Sequence, residues 1–254
     1  MKYLLSSVAV VALALGISSS ARAQSEITLL SPDPIKATIE KLLEGFEAKT
    51  GTQVKVTYGT GVSTRKTVAS GQALDVSLLF APFAEALKTG NIVASSATVI
   101  ARLRLALAVQ KGAPKPDIST PEAVKRTLLN AKSIISVDPT QGSVGGIALL
   151  ALDKLGITDQ VKPKIKWVQN GGLVQDSVAK GETEIALGPY LSDMRNPGLD
   201  VVGALPPEAS TPVDITGFLS TSVKDSKAAK ALLAYLSSHE VAPVYEAAKI
   251  FPAH

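Results

Sequence analysis

Residues 134–156, IISVDPTQGSVGGIALLALDKLG, predict a buried strand, a tight polar turn and a helix in one continuous run. The β-branched residues at 134–137 favour a strand, which the dipeptide beginning at Asp138 ends because its second residue is proline. The apolar run at 147–152 suits a helix that packs on a sheet. Such a turn points backbone N–H groups, with the positive end of the helix dipole, beyond the carboxyl end of the strand.

This turn is a candidate anion site. Gly142 and Ser143 lie where the turn becomes the helix, and we predict that both contact the ligand. An ordinary connection between a strand and a helix, in which small residues only let the two elements approach, is an equally good interpretation of one isolated turn.

The same succession of strand, turn and helix is predicted three times in the N-terminal half. The predicted strands lie at 27–30, 54–58 and 75–80. Three such units in a row predict an α/β chain with mostly parallel, helix-covered sheets. Asp33 follows the first strand and precedes a proline, which fits a helix N-cap better than a role in ligand chemistry. The first helix would then offer a second anion site at its N-terminus.

The turn after the second strand, GTGVSTRK, is rich in groups that bind oxyanions. The hydroxyls of Thr60 and Ser63 can donate hydrogen bonds, and Gly61 lets backbone approach a ligand. Arg65 offers the planar fork that suits a carboxylate or a phosphate. For Arg65 and Lys66, a solvated face of the helix is an equally good interpretation.

Tyr190 lies at the end of a strand predicted at 185–188. Its hydroxyl is therefore a candidate ligand contact. The alternative, which the sequence favours slightly, is a half-buried tyrosine that serves only packing.

The composition excludes several kinds of site and partner. The chain has no cysteine, which excludes a disulfide scaffold, an iron–sulfur cluster and a thiolate zinc site. His239 and His254 lie near the C-terminus without a metal-ligand spacing, so we expect neither a metal nor a cofactor. No basic run is interleaved with aromatic residues, which argues against nucleic acid as a partner.

The first residues, MKYLLSSVAVVALALGISSSARA, predict a secretory signal peptide. They carry a basic residue near the start, a short apolar run, and small residues before a cleavage point at Gln24. The apolar run is too short to span a membrane. We therefore expect residues 1–23 to be removed and the mature chain to be periplasmic. Without Lys2 and Arg22, the 26 basic residues fall to 24 against 22 acidic ones, a net charge of about +2.

Six short motifs follow one another along nearly all of the mature chain. They are FEAKTG at 46–51, the glycine and hydroxyl turn at 58–63, ALDV at 73–76, GAPKPDISTPE at 112–122, SVDP at 136–139 and AKGETEI at 179–185. In this order they resemble the periplasmic solute-binding proteins grouped with the molybdate-binding component of ABC importers. That family also includes a periplasmic aconitate isomerase.

The resemblance implies a two-lobed periplasmic-binding-protein fold of the type II kind, with the ligand enclosed between two α/β lobes. The apolar strand at 103–109 and the segment at 201–207 are the predicted crossovers, which would form the hinge. They divide the chain into lobe 1, residues 24–104 plus 213–254, and lobe 2, residues 105–212.

The two ligand turns depart from the pattern of the molybdate binders. Those proteins usually carry Ala-Ala-Ser after the first strand and Ser-Ser-Gly or a similar turn after the second, where this chain has Leu-Ser-Pro-Asp and Thr-Gly-Val. Pro32 also removes a backbone donor. The resemblance implies that Ser31 and Thr60 donate hydrogen bonds to the ligand. A larger organic anion, with Arg65 or Lys66 pairing a carboxylate, is at least as well supported as molybdate.

Two main hypotheses for function follow. The first is a monomeric binding protein that delivers a small oxyanion or organic carboxylate to an inner-membrane ABC importer and needs no general base. The second is a cofactor-independent isomerase that interconverts cis- and trans-aconitate by allylic proton transfer, with Asp33, Tyr190 or Asp193 as the proton-transferring group. A soluble interaction module is a third and weaker interpretation, because the glycine turns favour a cleft.

Overall fold

A computed structural model describes residues 25–72, 74–191 and 196–253 of the chain. The predicted signal peptide at 1–23 and the candidate acid–base residue Asp193 lie outside these described residues. Within the described ranges, no helix combines the length and the apolar character that crossing a membrane requires.

The described part of the chain alternates between strands and helices, as an α/β fold requires. The strands are β1 (Glu26–Pro32), β2 (Gln53–Gly59), β3 (Val76–Phe80), β4 (Thr98–Leu103), β5 (Leu105–Gln110), β6 (Ile134–Val137), β7 (Ile165–Val168), β8 (Ile185–Pro189), β9 (Leu199–Ala204), β10 (Val213–Leu219) and β11 (Phe251–Pro252). The helices are α1 (Lys36–Thr50), α2 (Gly61–Ala69), α3 (Ala84–Lys88), α4 (Pro121–Asn130), α5 (Ser143–Lys154), α6 (Thr158–Val161), α7 (Gly171–Ala179), α8 (Ser226–Leu236) and α9 (Ala242–Ala247).

The first sheet has the strand order β11-β4-β10-β3-β1-β2. Strand β1 pairs in parallel with β2 and β3, whereas β10 runs antiparallel to β3 and β4. Buried residues on α1 and α8, among them Ile39 and Leu232, belong to the main core. Val68 of α2 packs with Leu79 and Phe218 in a second cluster of this lobe. Helices therefore supply apolar side chains to two separate clusters around this sheet.

The second sheet has the strand order β7-β6-β8-β5-β9. Strand β6 pairs in parallel with β7 and β8, and β5 runs antiparallel to β8 and β9. The chain passes from the first sheet to the second through Arg104, between β4 and β5, and returns through residues 205–212, between β9 and β10.

The predicted two-lobed α/β architecture is confirmed, with one correction: both sheets are mixed. Strands β1, β2, β6 and β7 of the strand–helix units pair in parallel as predicted, while β4, β5, β9, β10 and β11 are antiparallel to all their neighbours. All of these but β11 adjoin the crossovers, and antiparallel neighbours need no helical return over the sheet. The residue boundaries predicted for the two lobes stay a prediction.

The stretch at 134–156 forms β6 and α5, as predicted. The first turn of α5 lies directly against the end of β6. A Cβ added at Gly145 would overlap the backbone carbonyl oxygen of Val137 and lie 2.6 Å from the backbone nitrogen of Pro139. Because backbone atoms cannot move aside as a side chain can, this approach of helix to strand requires glycine.

Candidate functional site

A pocket of about 270 Å³ lies between the two lobes, where the carboxyl ends of strands from both sheets meet. Asp33, Pro34, Thr60, Gly61 and Phe80 form the wall from the first lobe. The wall from the second lobe follows β6 and β7 and includes the end of β8, with the lining residues Val137, Gln141, Gly142, Ser143, Val144, Gln169, Asn170, Gly171, Gly172, Val174, Gln175, Leu187, Gly188, Pro189 and Leu191. This volume is close to the lower end of the ~300–1,000 Å³ range of small-molecule sites.

Three helices begin at this pocket. Thr60 caps α2, its Oγ1 accepting a hydrogen bond of 3.0 Å from the Ser63 amide. Asn170 caps α7, its Oδ1 accepting one of 3.1 Å from the Leu173 amide. The residue before α5 is Gly142, which has no side chain for capping, so the first-turn amides of α5 keep their capacity to donate. The positive ends of three helix dipoles therefore face one pocket, an arrangement that favours an anion.

The polar side chains of the pocket are mostly neutral. Gln141, Gln169 and Gln175 contribute amides and Ser143 a hydroxyl, all able to donate hydrogen bonds. Among the described residues that line the pocket, Asp33 is the charged one. Its carboxylate opposes an anionic ligand by charge and could also accept or return a proton. Within the described ranges, no group of three or more metal-ligating side chains occurs.

The structure brings four of the eight predicted ligand residues together on the pocket wall. They come from two turns on opposite lobes, Thr60 with Gly61 and Gly142 with Ser143. This juxtaposition follows from the topology, because both turns stand at carboxyl ends of parallel strands. That these four residues contact a ligand stays a prediction.

Three other predicted residues lie away from the lining of the pocket. Ser31 is fully buried, and its Oγ has no hydrogen-bond partner in the described part of the chain. Ser63 donates its hydroxyl to the backbone oxygen of Thr60 at 3.0 Å and so closes the first turn of α2. Tyr190 stacks on Phe251, with 6.5 Å between ring centroids and an interplanar angle of 26°. The packing interpretation of Tyr190 therefore fits its surroundings better than the ligand interpretation.

Arg65 lies beside the pocket and reaches across the lobes. Its Nη1 donates a hydrogen bond of 2.9 Å to Ser143 Oγ. Burial lowers the pKa of the guanidinium, and the nearby Glu85 opposes that shift. Arg65 lines a neighbouring groove and not the pocket itself, and its partner Ser143 lines both. Lys66 is exposed, in keeping with a solvated helix face.

Gly61 and Ser143 bring the lobes into direct contact. A Cβ added at Gly61 would clash with Ser143 Oγ and lie 3.0 Å from Phe80 Cδ2. Only a residue without a side chain allows this approach, since the Ser143 side chain is itself buried and hydrogen-bonded to Arg65.

Several pocket residues were missed by the sequence analysis. Gln169, Asn170 and the glycines at 171–172 follow β7 and open α7. Their signal was present, because the strand at 165–168 is followed by a polar glycine turn just as the strand at 134–137 is. The apolar lining residues Phe80 and Leu187 resemble any other buried strand residue, and no local pattern distinguishes them.

Two α/β lobes with a pocket between them are the architecture typical of proteins that close around a small ligand. The chain belongs to the bacterial extracellular solute-binding protein family, whose sequence pattern matches residues 27–248. That match contains both sheets up to β10 and every residue that lines the pocket.

Known proteins with similar sequence or fold have several different ligands. An aconitate isomerase from a Pseudomonas species is 28% identical over 240 residues, covering 92% of this chain and 90% of that one. The substrate-binding domain of a proposed molybdenum ABC transporter from Clostridium difficile has a TM-score of 0.75 at 17% identity, covering 91% of this chain and 100% of that one. A periplasmic thiamin-binding protein also has a TM-score of 0.75, at 15% identity and with coverages of 91% and 84%. The predicted resemblance to solute-binding proteins is confirmed, while these two structures establish the fold alone.

Proposed function

We propose that the chain binds a small organic carboxylate or oxyanion in the pocket between its lobes. The observation that carries this proposal is the meeting of three helix N-termini, from α2, α5 and α7, at one pocket of about 270 Å³. Backbone amides and neutral side chains surround an anion there, and lobe closure strengthens each hydrogen bond by excluding water.

An organic carboxylate suits this pocket better than a bare tetrahedral oxyanion. The pocket has apolar walls at Phe80, Val174 and Leu187 as well as polar ones. A carbon skeleton can occupy the apolar part while its carboxylates accept from the helix N-termini. The proline after Ser31 removes one amide from the first turn, which reduces the number of donors available to a compact oxyanion.

We further propose that the mature chain acts in the periplasm as a monomer and delivers its ligand to an inner-membrane ABC importer. Three facts support this. The leader at 1–23 has the features of a signal peptide. The family is one of extracellular solute-binding proteins. A fold neighbour is the substrate-binding domain of a proposed ABC transporter.

A second candidate function is the cis–trans isomerisation of aconitate, which the similarity to an aconitate isomerase favours. The reaction removes a proton from the carbon next to the double bond, shifts the double bond, and returns a proton at the other end of the allylic system. Asp33 is the candidate for this transfer because it lines the pocket and because, contrary to the predicted N-cap role, its side chain makes no capping hydrogen bond within the described ranges. Tyr190 is stacked on Phe251, and Asp193 lies outside the described residues.

One experiment separates the two functions. Calorimetry measures binding of trans-aconitate, citrate, molybdate and sulfate to the mature protein and to its Asp33→Asn variant, while NMR follows conversion of trans- to cis-aconitate. If the protein only binds its ligand, it binds one of these anions and converts none. The Asp33→Asn variant then binds that anion as tightly or more tightly, because a negative charge has been removed from the pocket. An isomerase converts aconitate, and Asp33→Asn loses conversion but keeps binding.

A matched control is Asp159→Asn, which removes an exposed carboxylate at α6, far from the pocket lining. It should leave both binding and conversion as in the unmodified chain. Failure of all four anions to bind would contradict the proposed function.

A further inference from the structure

A second groove, of about 870 Å³, lies on the other side of Ser143 from the pocket. It runs along the flank of α5 and is closed by residues of the first lobe and of the returning crossover. The residues that matter to its chemistry are Arg65, Pro82, Ile147, Leu150, Ser143 and Asp214. Ser143 lines both this groove and the first pocket, and it contacts Gly61 of the opposite lobe.

One wall of the groove is apolar and open to solvent. Leu150 is 64% exposed, and only Leu173 joins it as a large apolar side chain exposed within the described ranges. Leu150 lies one helical turn from Ile147, so both present carbon to the groove from α5. A ligand that covers an exposed leucine beside a concave apolar wall removes apolar surface from water, which favours binding.

Among the described residues, the groove is lined by one cation, the Arg65 guanidinium, and one carboxylate, that of Asp214, and Glu85 acts on the charge of Arg65 from nearby without forming an ion pair with it. Arg65 donates to the neutral hydroxyl of Ser143, and no carboxylate of the described residues lies within ion-pair distance of its guanidinium. Asp214 also lines the groove, but Arg102 Nε already pairs with its carboxylate at 3.0 Å. The groove therefore holds a half-buried guanidinium with donors to spare, next to an apolar wall.

We propose that this groove is a second ligand site, for a monocarboxylate that carries an apolar chain. The carboxylate accepts hydrogen bonds from Arg65 in the fork geometry that guanidinium favours. The chain lies along Ile147 and Leu150. This site does not depend on the function proposed for the anion pocket, because its cation, Arg65, and its apolar wall, Ile147 and Leu150, do not line that pocket.

Hexanoate is the probe that tests this site, measured by calorimetry and ligand-observed NMR on the mature protein. Affinity should rise from butanoate to hexanoate by roughly threefold to fourfold per methylene, as expected for carbon that leaves water. Hexan-1-ol, with the same chain and no charge, should bind at least tenfold more weakly.

Two variants address the two halves of the site. Arg65→Gln removes the charge, and Leu150→Asp places a negative charge on the exposed apolar wall, where folding is not at risk. Each should weaken hexanoate binding at least tenfold. Leu173→Asp makes the same chemical change at the other exposed leucine and should leave hexanoate binding unchanged.

Three results would overturn the proposal. The first is no saturable binding of hexanoate, or binding that neither Arg65→Gln nor Leu150→Asp alters. The second is one-to-one displacement of hexanoate by an anion that binds the pocket, which would reduce the two sites to one. The third is a dimer in sedimentation that Leu150→Asp dissociates, which would assign the groove to a second copy of the chain.

Discussion

A side chain at Gly61 would clash with Ser143 and keep the two lobes from their present contact. Replacing Gly61 by alanine places a Cβ against Ser143 Oγ and within 3.0 Å of Phe80 Cδ2. The overlap costs about 1–3 kcal/mol. Its larger part, with Ser143, falls on the contact between the lobes, while Phe80 belongs to the same lobe as Gly61. Gly61→Ala should therefore weaken anion binding about tenfold with little loss of thermal stability, as measured by calorimetry and thermal unfolding.

The control for Gly61 is Gly146→Ala, since a Cβ at Gly146 meets nothing within 4 Å. Its anion affinity should equal that of the unmodified chain. Gly61→Ala with unchanged affinity would mean that the contact between Gly61 and Ser143 is not part of the ligand-bound form.

Asp75 links three parts of the first lobe. Its carboxylate accepts from the amide and hydroxyl of Thr28, both at 2.8 Å, and from the amide of Lys224 at 2.9 Å. Burial by itself would raise the pKa of this carboxyl. The hydrogen bonds from Lys224 and Thr28, with the charge of Lys224, outweigh burial and hold the pKa below its usual value.

A lowered pKa in the folded state makes Asp75 stabilising above the carboxyl pKa of the unfolded chain, about 3.9. This contribution is lost as the pH falls through the lowered folded pKa. Asp75→Asn should lower the free energy of unfolding by about 1–3 kcal/mol at pH 7. Urea unfolding at pH 7 and at pH 3 tests this, and a difference between variant and parent that does not shrink at pH 3 would contradict the assignment.

The packing of helix α5 on strand β6 depends on the close contact between Gly145 and the backbone at Val137. Gly145→Ala should destabilise the fold by about 1–3 kcal/mol, because its Cβ would overlap the backbone at Val137. Gly146→Ala, one residue further along the same helix, should be neutral or stabilising by up to about 1 kcal/mol, since alanine favours helix. Urea unfolding of the two variants measures both effects. Equal stabilities would show that the helix can shift away from the strand.

The elements around the pocket could be predicted because their signals are local. The strand at 134–137, its polar turn and the apolar helix that follows lie next to one another in the sequence. The position of Arg65 could not be predicted in this way. Its partner, Ser143, is 78 residues away, and only the packing of two lobes decides which side of Ser143 it occupies. Tyr190 is similar, because its neighbour Phe251 comes from the end of the chain.

Across the two lobes, a hydrogen bond joins one crossover to the other. Arg104, in the first crossover, donates from Nη2 to the backbone oxygen of Leu205 at 2.7 Å, at the start of the second. Its guanidinium also lies 5.0 Å from the ring centroid of Phe251 in β11. These contacts join the two crossovers that are predicted to form the hinge.

We propose that turns from both lobes bind one anion together. The direct test is a ¹H–¹⁵N NMR titration of the mature protein with trans-aconitate. We expect the amide signals of Gly61, Ser143, Val144, Gly171 and Gly172 to shift along one saturating curve, because the N-termini of α2, α5 and α7 meet at one pocket. Shifts confined to one lobe, or shifts that do not saturate, would contradict it.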